Sequence, residues 1–163
     1  GGRLGMKIEA LLQNKGHEVV TLKPDATVFD AVELLKTHRI GCVVVSRDGR
    51  HVDGLVAVRD IAYAMAERAS MLRRARGADI LNAPISRIMT SEVECCSQQD
   101  TLRHVMGEMT KHHILHVPVL RDGELCGIVS IDDVVKYAVE EMDLERQVLL
   151  DSVLLLRTSK DIE

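Results

Sequence analysis

The sequence predicts a mixed α/β (α+β) fold made of two tandem copies of one β-β-α unit, each with a helix before it. Three observations carry this. Residues 19–48 align with residues 93–122 without a gap: Val19 falls on Val93, Thr27 on Thr101 and Asp48-Gly49 on Asp122-Gly123, each 74 positions on. In each copy two apolar strands flank an Asp-Gly turn, the signature of a hairpin. The return strand then runs into a polar corner and a helical pattern, and this too occurs twice. Gly127-Ile128-Val129-Ser130-Ile131-Asp132-Asp133 repeats Gly54-Leu55-Val56-Ala57-Val58-Arg59-Asp60, now 73 positions on because the first hairpin carries one extra residue.

Residues 1–5 read as an expression scar ahead of Met6, and residues 6–76 as the first copy. Residues 7–13 form a short amphipathic helix with Ile8, Leu11 and Leu12 on one face, ended by Gly16. Residues 19–22 are extended, and Lys23-Pro24-Asp25 turns the chain. Thr27 is placed to cap a helix striped with Val28, Ala31, Val32, Leu34 and Leu35. His38-Arg39-Ile40-Gly41 closes that helix, and the strands 42–45 and 55–58 pair across Asp48-Gly49. A helix follows Asp60 with Ile61, Ala64, Met65 and Ala69 on one side; it runs into a basic segment, 68–76, and breaks at Gly77.

Residues 77–83 link to the second copy, 84–141. It opens on a helical turn ending at Ile88-Met89, and Val93-Glu94-Cys95-Cys96 is extended. Thr101 caps a helix striped with Leu102, Val105, Met106 and Met109, and the hairpin and the Asp133 corner follow. Residues 142–163 carry Leu144, Val148, Leu149, Leu155 and Leu156 on an amphipathic helix. A helix this apolar must pack on its own module or on a second chain, and the second chain is the favoured reading.

Composition removes several function classes. A net charge of −4 argues against a broad nucleic-acid surface, and Phe29, Tyr63 and Tyr137 are too few aromatics for a base-stacking platform. No apolar run approaches the roughly 18 residues of a membrane span and no signal peptide opens the chain, so the expectation is a soluble cytoplasmic protein without membrane association. Cys42, Cys95, Cys96 and Cys126 show no metal-ligand spacing and read as reduced, partly buried thiols. His112, His113 and His116 cluster, but zinc would need further ligands that the local sequence does not supply. Glycine-rich phosphate loops and an activated nucleophile are absent, so no enzymatic activity is expected.

The Ile-Met turn, the extended Val-x-Thr segment, the Thr-capped helix, the Val/Pro-rich strand, the Asp-Gly hairpin and the Gly-x-x-Ser-x-x-Asp corner together resemble the CBS domain. Two in tandem resemble a Bateman module, and the name CBS comes from the regulatory region of cystathionine β-synthase. The resemblance covers residues 7–140. It implies a pseudo-twofold pair with facing sheets, two clefts between the halves for an adenosine-containing ligand (AMP, ADP, ATP, NAD or S-adenosylmethionine), and modules that dimerise into a disk. It gives Asp60 and Asp133 the vicinal ribose hydroxyls, and Ser130 a phosphate, helped by helix-start N–H groups. Thr21 and Cys95 fall where the family meets adenine through backbone. Arg39 with His113, and Cys42 with His116, fall at basic phosphate-contact positions. Val44 and Pro118 fall at an apolar wall against the base.

The copies depart from one another. Ala57 stands where the second copy has Ser130, and Cys95 where the first has Thr21, so the clefts are unequal and a phosphate-bearing ligand is expected to prefer the Asp133 corner. Arg59 beside Asp60 offers a compensating charge. The resulting reading is a regulatory module that senses an adenine nucleotide, requires no cofactor and forms a homodimer. Its rival is a structural dimer that docks an unidentified target protein through the tail. A redox sensor at Cys95-Cys96 is a weaker third, since adjacent cysteines form only a strained disulfide.

Overall fold

The computed structural model describes residues 2–72 and 79–160. The first copy contains β1 (Thr21–Leu22), α2 (Val28–His38), β2 (Cys42–Val45), β3 (Gly54–Ala57) and α3 (Val58–Leu72), after a lead helix α1 (Ile8–Lys15). The second contains β4 (Cys96–Ser97), α4 (Leu102–His112), β5 (His116–Arg121), β6 (Glu124–Ser130) and α5 (Ile131–Lys160), after a helical turn at Ile85–Arg87. Each copy builds one three-stranded sheet, β1-β2-β3 or β4-β5-β6. The first pair in each is parallel, because a helix carries the chain back across the sheet, and the second is an antiparallel hairpin.

The repeat holds at the level of register. Cys42 lies opposite Ala57 and His116 opposite Ser130; Gly54 and Gly127 take matching places against Val45 and Val119. One difference has a plain cause. Val44 donates its N–H to the Val20 carbonyl at 3.0 Å. Pro118 occupies the same place in the second copy and has no N–H to give, so β4 begins a residue later.

Thr27 caps α2 as expected and goes further: its Oγ1 accepts from the Asp30 N–H at 3.1 Å while the Asp30 carboxylate accepts from the Thr27 N–H at 2.9 Å. Thr101 caps α4 by accepting from the His104 N–H at 3.1 Å, without the reciprocal carboxylate bond that Asp30 makes in the first copy. Thr27→Ala is therefore expected to destabilise the protein by about 1 kcal/mol, read as a lower urea midpoint at unchanged slope. Arg39 (φ 52°) and His113 (φ 54°) close the two helices in the left-handed conformation, each at the same place in its copy.

Three expectations need correction. The Asp48-Gly49 turn is not a tight hairpin. Residues 46–53 form a longer loop in which the Asp48 carboxylate accepts from the Arg50 and His51 N–H groups, both at 2.8 Å, whereas Asp122 (φ 51°) and Gly123 (φ 79°) do make the two-residue turn. Val58 belongs to the first turn of α3 rather than to the strand. The tail is not a separate helix, because α5 runs unbroken from Ile131 to Lys160. Its distal apolar face is not covered by its own module: Leu149 is 67 % and Leu155 70 % exposed.

The lead segments cross. Ile8, Leu11 and Leu12 are fully buried, and they pack with Leu102, Val105, Val117 and Val129 of the second copy. Ile85 packs with Val28, Ala31, Val43 and Val56 of the first. Backbone hydrogen bonds fix both crossings in the same way, Leu102 N to Met6 O and Val28 N to Ala83 O, each 2.9 Å. The helix before each copy thus completes the other copy's core. The residues read as an expression scar are drawn in as well: the Leu4 side chain packs on the second core, and its N–H donates to Glu141 Oε2 at 3.2 Å. The end of the basic segment, residues 73–76, and Gly77 lie outside the described residues.

Candidate functional site

In each copy the return strand delivers a carboxylate into the first turn of the following helix. Strand alternation sends Val43 and Val45, and likewise Val117 and Val119, into their own cores. Cys42 with Val44, and His116 with Pro118, therefore face the opposite side of each sheet. The helix starts are anchored alike: Val58 N–H donates to Gly41 O at 3.1 Å, and Ile131 N–H to Leu115 O at 2.8 Å. Two clefts result, each combining the acidic corner of one copy with the extended segment and strand start of the other.

The cleft at Asp133 encloses about 350 Å³ between Ile128, Ser130, Asp132 and Asp133 of the second copy and Lys15, Glu18, Val19, Val20, Arg39, Ile40 and Cys42 from the first part of the chain. Asp133 Oδ2 accepts from the Ser130 N–H at 2.8 Å, the Ser130 hydroxyl at 3.1 Å and the Lys15 ammonium at 2.6 Å. Lys15 also donates to Ile128 O at 2.7 Å, so the ammonium is held at the cleft wall. Among the described residues no hydrogen bond engages Asp133 Oδ1.

The cleft at Asp60 is smaller, about 230 Å³, between Leu55, Ala57, Arg59 and Asp60 of the first copy, Thr90 and Glu92, and Val93, Glu94, Ile114 and His116 of the second. Asp60 accepts from the Ala57 N–H at 2.7 Å and the Thr90 hydroxyl at 3.2 Å. Arg59 reaches across the pair and donates to His113 O at 3.1 Å, so its charge is partly spent on the neighbouring helix end. Its lining places Asp60, Glu92 and Glu94 against the single cation Arg59, whereas the Asp133 cleft sets Lys15 and Arg39 against three carboxylates. The Asp133 cleft is the less hostile of the two to a phosphate.

Of the residues singled out in the sequence, Arg39, Cys42, Ser130 and Asp133 line one cleft and Arg59 and Asp60 the other, with His116 in both. His113 contributes its carbonyl to Arg59. Thr21, Val44, Cys95 and Pro118 line neither, and Val44 is fully buried. Lys15 and Thr90, the partners of the two key carboxylates, were missed. They lie at the ends of the two lead segments, and only the crossing of those segments brings each to its corner.

Burial pushes the Cys42 and Cys96 thiols up to about 12, and raises Cys95 and Cys126 as well. All four thiols are free, and a raised thiol value favours the protonated, less nucleophilic form. Burial lowers His116, against the opposing pull of Asp132 and Asp133. A histidine whose folded value lies below its unfolded one makes the unfolded chain the better proton binder between the two, so stability rises with pH there. The melting temperature should fall as the pH drops from about 7 towards about 5, and His116→Gln should flatten that fall. Identical profiles for the two proteins would show that His116 plays no part.

Two copies of one small α/β unit, with crossed leads and a cleft at each acidic corner, define a tandem paired-domain module. The chain belongs to the CBS domain family: the family model matches residues 15–67 and 85–140. A crystal structure of a CBS-domain-containing protein from Agrobacterium tumefaciens is 39 % identical and superposes with a TM-score of 0.70 over 80 % of this chain and 98 % of that one. A CBS domain protein from Pyrobaculum aerophilum complexed with AMP is 29 % identical, with a TM-score of 0.65 over 78 % of this chain and 89 % of that one. A CBS domain-containing protein of Bacillus subtilis is 29 % identical over 128 residues, 78 % of this chain and 82 % of its own. Among the described residues no helix is long and apolar enough to cross a membrane.

Proposed function

We propose that this chain is a non-catalytic regulatory module whose Asp133 cleft binds an adenosine-containing ligand, AMP, ADP, ATP or NAD. The arrangement of Asp133, Ser130 and Lys15 at the start of α5 carries the reading. The ribose hydroxyls donate to Asp133, as two vicinal hydroxyls suit a carboxylate with a free oxygen. The phosphate meets Ser130, Lys15 and Arg39. Val19, Val20 and Ile40 supply apolar contact for the base. The AMP complex of the Pyrobaculum relative supports the ligand class. The module acts in the cytoplasm as a homodimer, and the exposed end of α5 passes the state of the cleft to a target protein.

Thermal unfolding with and without millimolar AMP, ADP, ATP, NAD and S-adenosylmethionine tests this. A ligand at 100 times its dissociation constant adds about 2.7 kcal/mol, a rise of several degrees in melting temperature. No rise with any of them would leave a partner-docking dimer as the better account.

A further inference from the structure

The histidine-rich segment at the end of α4 lacked metal partners in the local sequence; the fold supplies them. His112 Nε2 lies 3.2 Å from Glu108 Oε2, one helical turn back, and 3.9 Å from Glu94 Oε1 on the extended segment before β4. All three ligand atoms lie within 4.8 Å of one another. A tetrahedral ion with bonds of about 2.0–2.1 Å wants its ligand atoms about 3.3 Å apart, so small side-chain rotations complete the geometry. We propose that Glu94, Glu108 and His112 bind a divalent first-row transition ion of the zinc type at the rim of the Asp60 cleft.

The internal repeat argues that the cluster is more than a helix-surface ion pair. The same positions in the first copy are Val20, Leu34 and His38, and Val20 and Leu34 pack against the first core. The second copy replaces both apolar groups with carboxylates and gathers them on one imidazole, where their mutual repulsion asks for a cation. One nitrogen and two carboxylates suit zinc, manganese or cobalt better than magnesium or calcium, which prefer oxygen alone. Three protein ligands leave a coordination position open, as in sites that exchange water for a ligand. Glu94 also lines the Asp60 cleft, so the ion would set positive charge where that cleft is most acidic.

The test is calorimetric titration of zinc chloride into the metal-stripped full chain without nucleotide, so that it stands or falls apart from the ligand reading. One ion per chain is expected. Glu108→Gln and His112→Gln should each weaken binding by about tenfold or more, while His38→Gln and Cys126→Ser leave it unchanged. The three ligands are at least one-third exposed, so the variants should fold; circular dichroism verifies it. Zinc uptake that survives both ligand variants, zinc uptake lost only in Cys126→Ser, or no uptake by the parent would each overturn the site.

Discussion

Leu12→Ala should cost about 2–5 kcal/mol of stability, and the loss should fall on the second copy although Leu12 lies in the first helix of the chain. Leu12 is fully buried. It packs where Gly127 has no side chain: a Cβ added there would come within 2.6 Å of Leu12 Cδ1. The backbone of β6 has closed onto this leucine, so its removal leaves a cavity that rigid strands cannot collapse to fill. Urea unfolding gives the magnitude, and hydrogen exchange gives the place. Protection should fall first at β5 and β6, with β2 and β3 keeping theirs. Met89→Ala is the mirror experiment, since a Cβ at Gly54 would meet Met89 Sδ at 2.5 Å. Loss of protection confined to the first copy in Leu12→Ala would show that the crossed packing does not set stability.

Asp133→Ala should weaken binding of the active adenylate by about ten- to a hundredfold, at about 1.5–3 kcal/mol for a hydrogen bond to a charged group. Two effects oppose each other. The ribose loses its acceptor, and Lys15 loses its anchor and becomes free to pair with phosphate. The first dominates because a vicinal diol facing an alanine leaves its hydroxyls unpaired in a cleft, while Lys15 already lies within reach of phosphate. At a fixed ligand concentration near the parent's saturation, the melting shift should vanish in Asp133→Ala.

Much of the fold was legible because the chain states it twice. A gapless alignment of residues 19–48 with 93–122 leaves little room for a wrong element, and caps such as Thr27 and Thr101 recur with it. The unequal clefts were legible for the same reason, since Ala57 and Ser130 can be compared directly. What periodicity cannot carry is which copy a flanking segment serves. Ile8, Leu11 and Leu12 announce a buried face but not its partner, so Lys15 could not be placed at Asp133 in advance. The same limit applies to Glu94 and His112, 18 positions apart and joined only by the turn of the chain through α4. Thr21, Val44, Cys95 and Pro118 came from the family resemblance and are not among the residues lining either cleft, and Pro118 changes the ladder itself.

The central claim is that the Asp133 cleft, rather than the Asp60 cleft, is the principal site for a phosphate-bearing adenosine ligand. Calorimetric titration of AMP into the parent, Asp133→Ala and Asp60→Ala proteins tests it most directly. The account predicts that the tightest binding is lost in Asp133→Ala and retained in Asp60→Ala. Equal loss in both variants, or loss in Asp60→Ala alone, would contradict it.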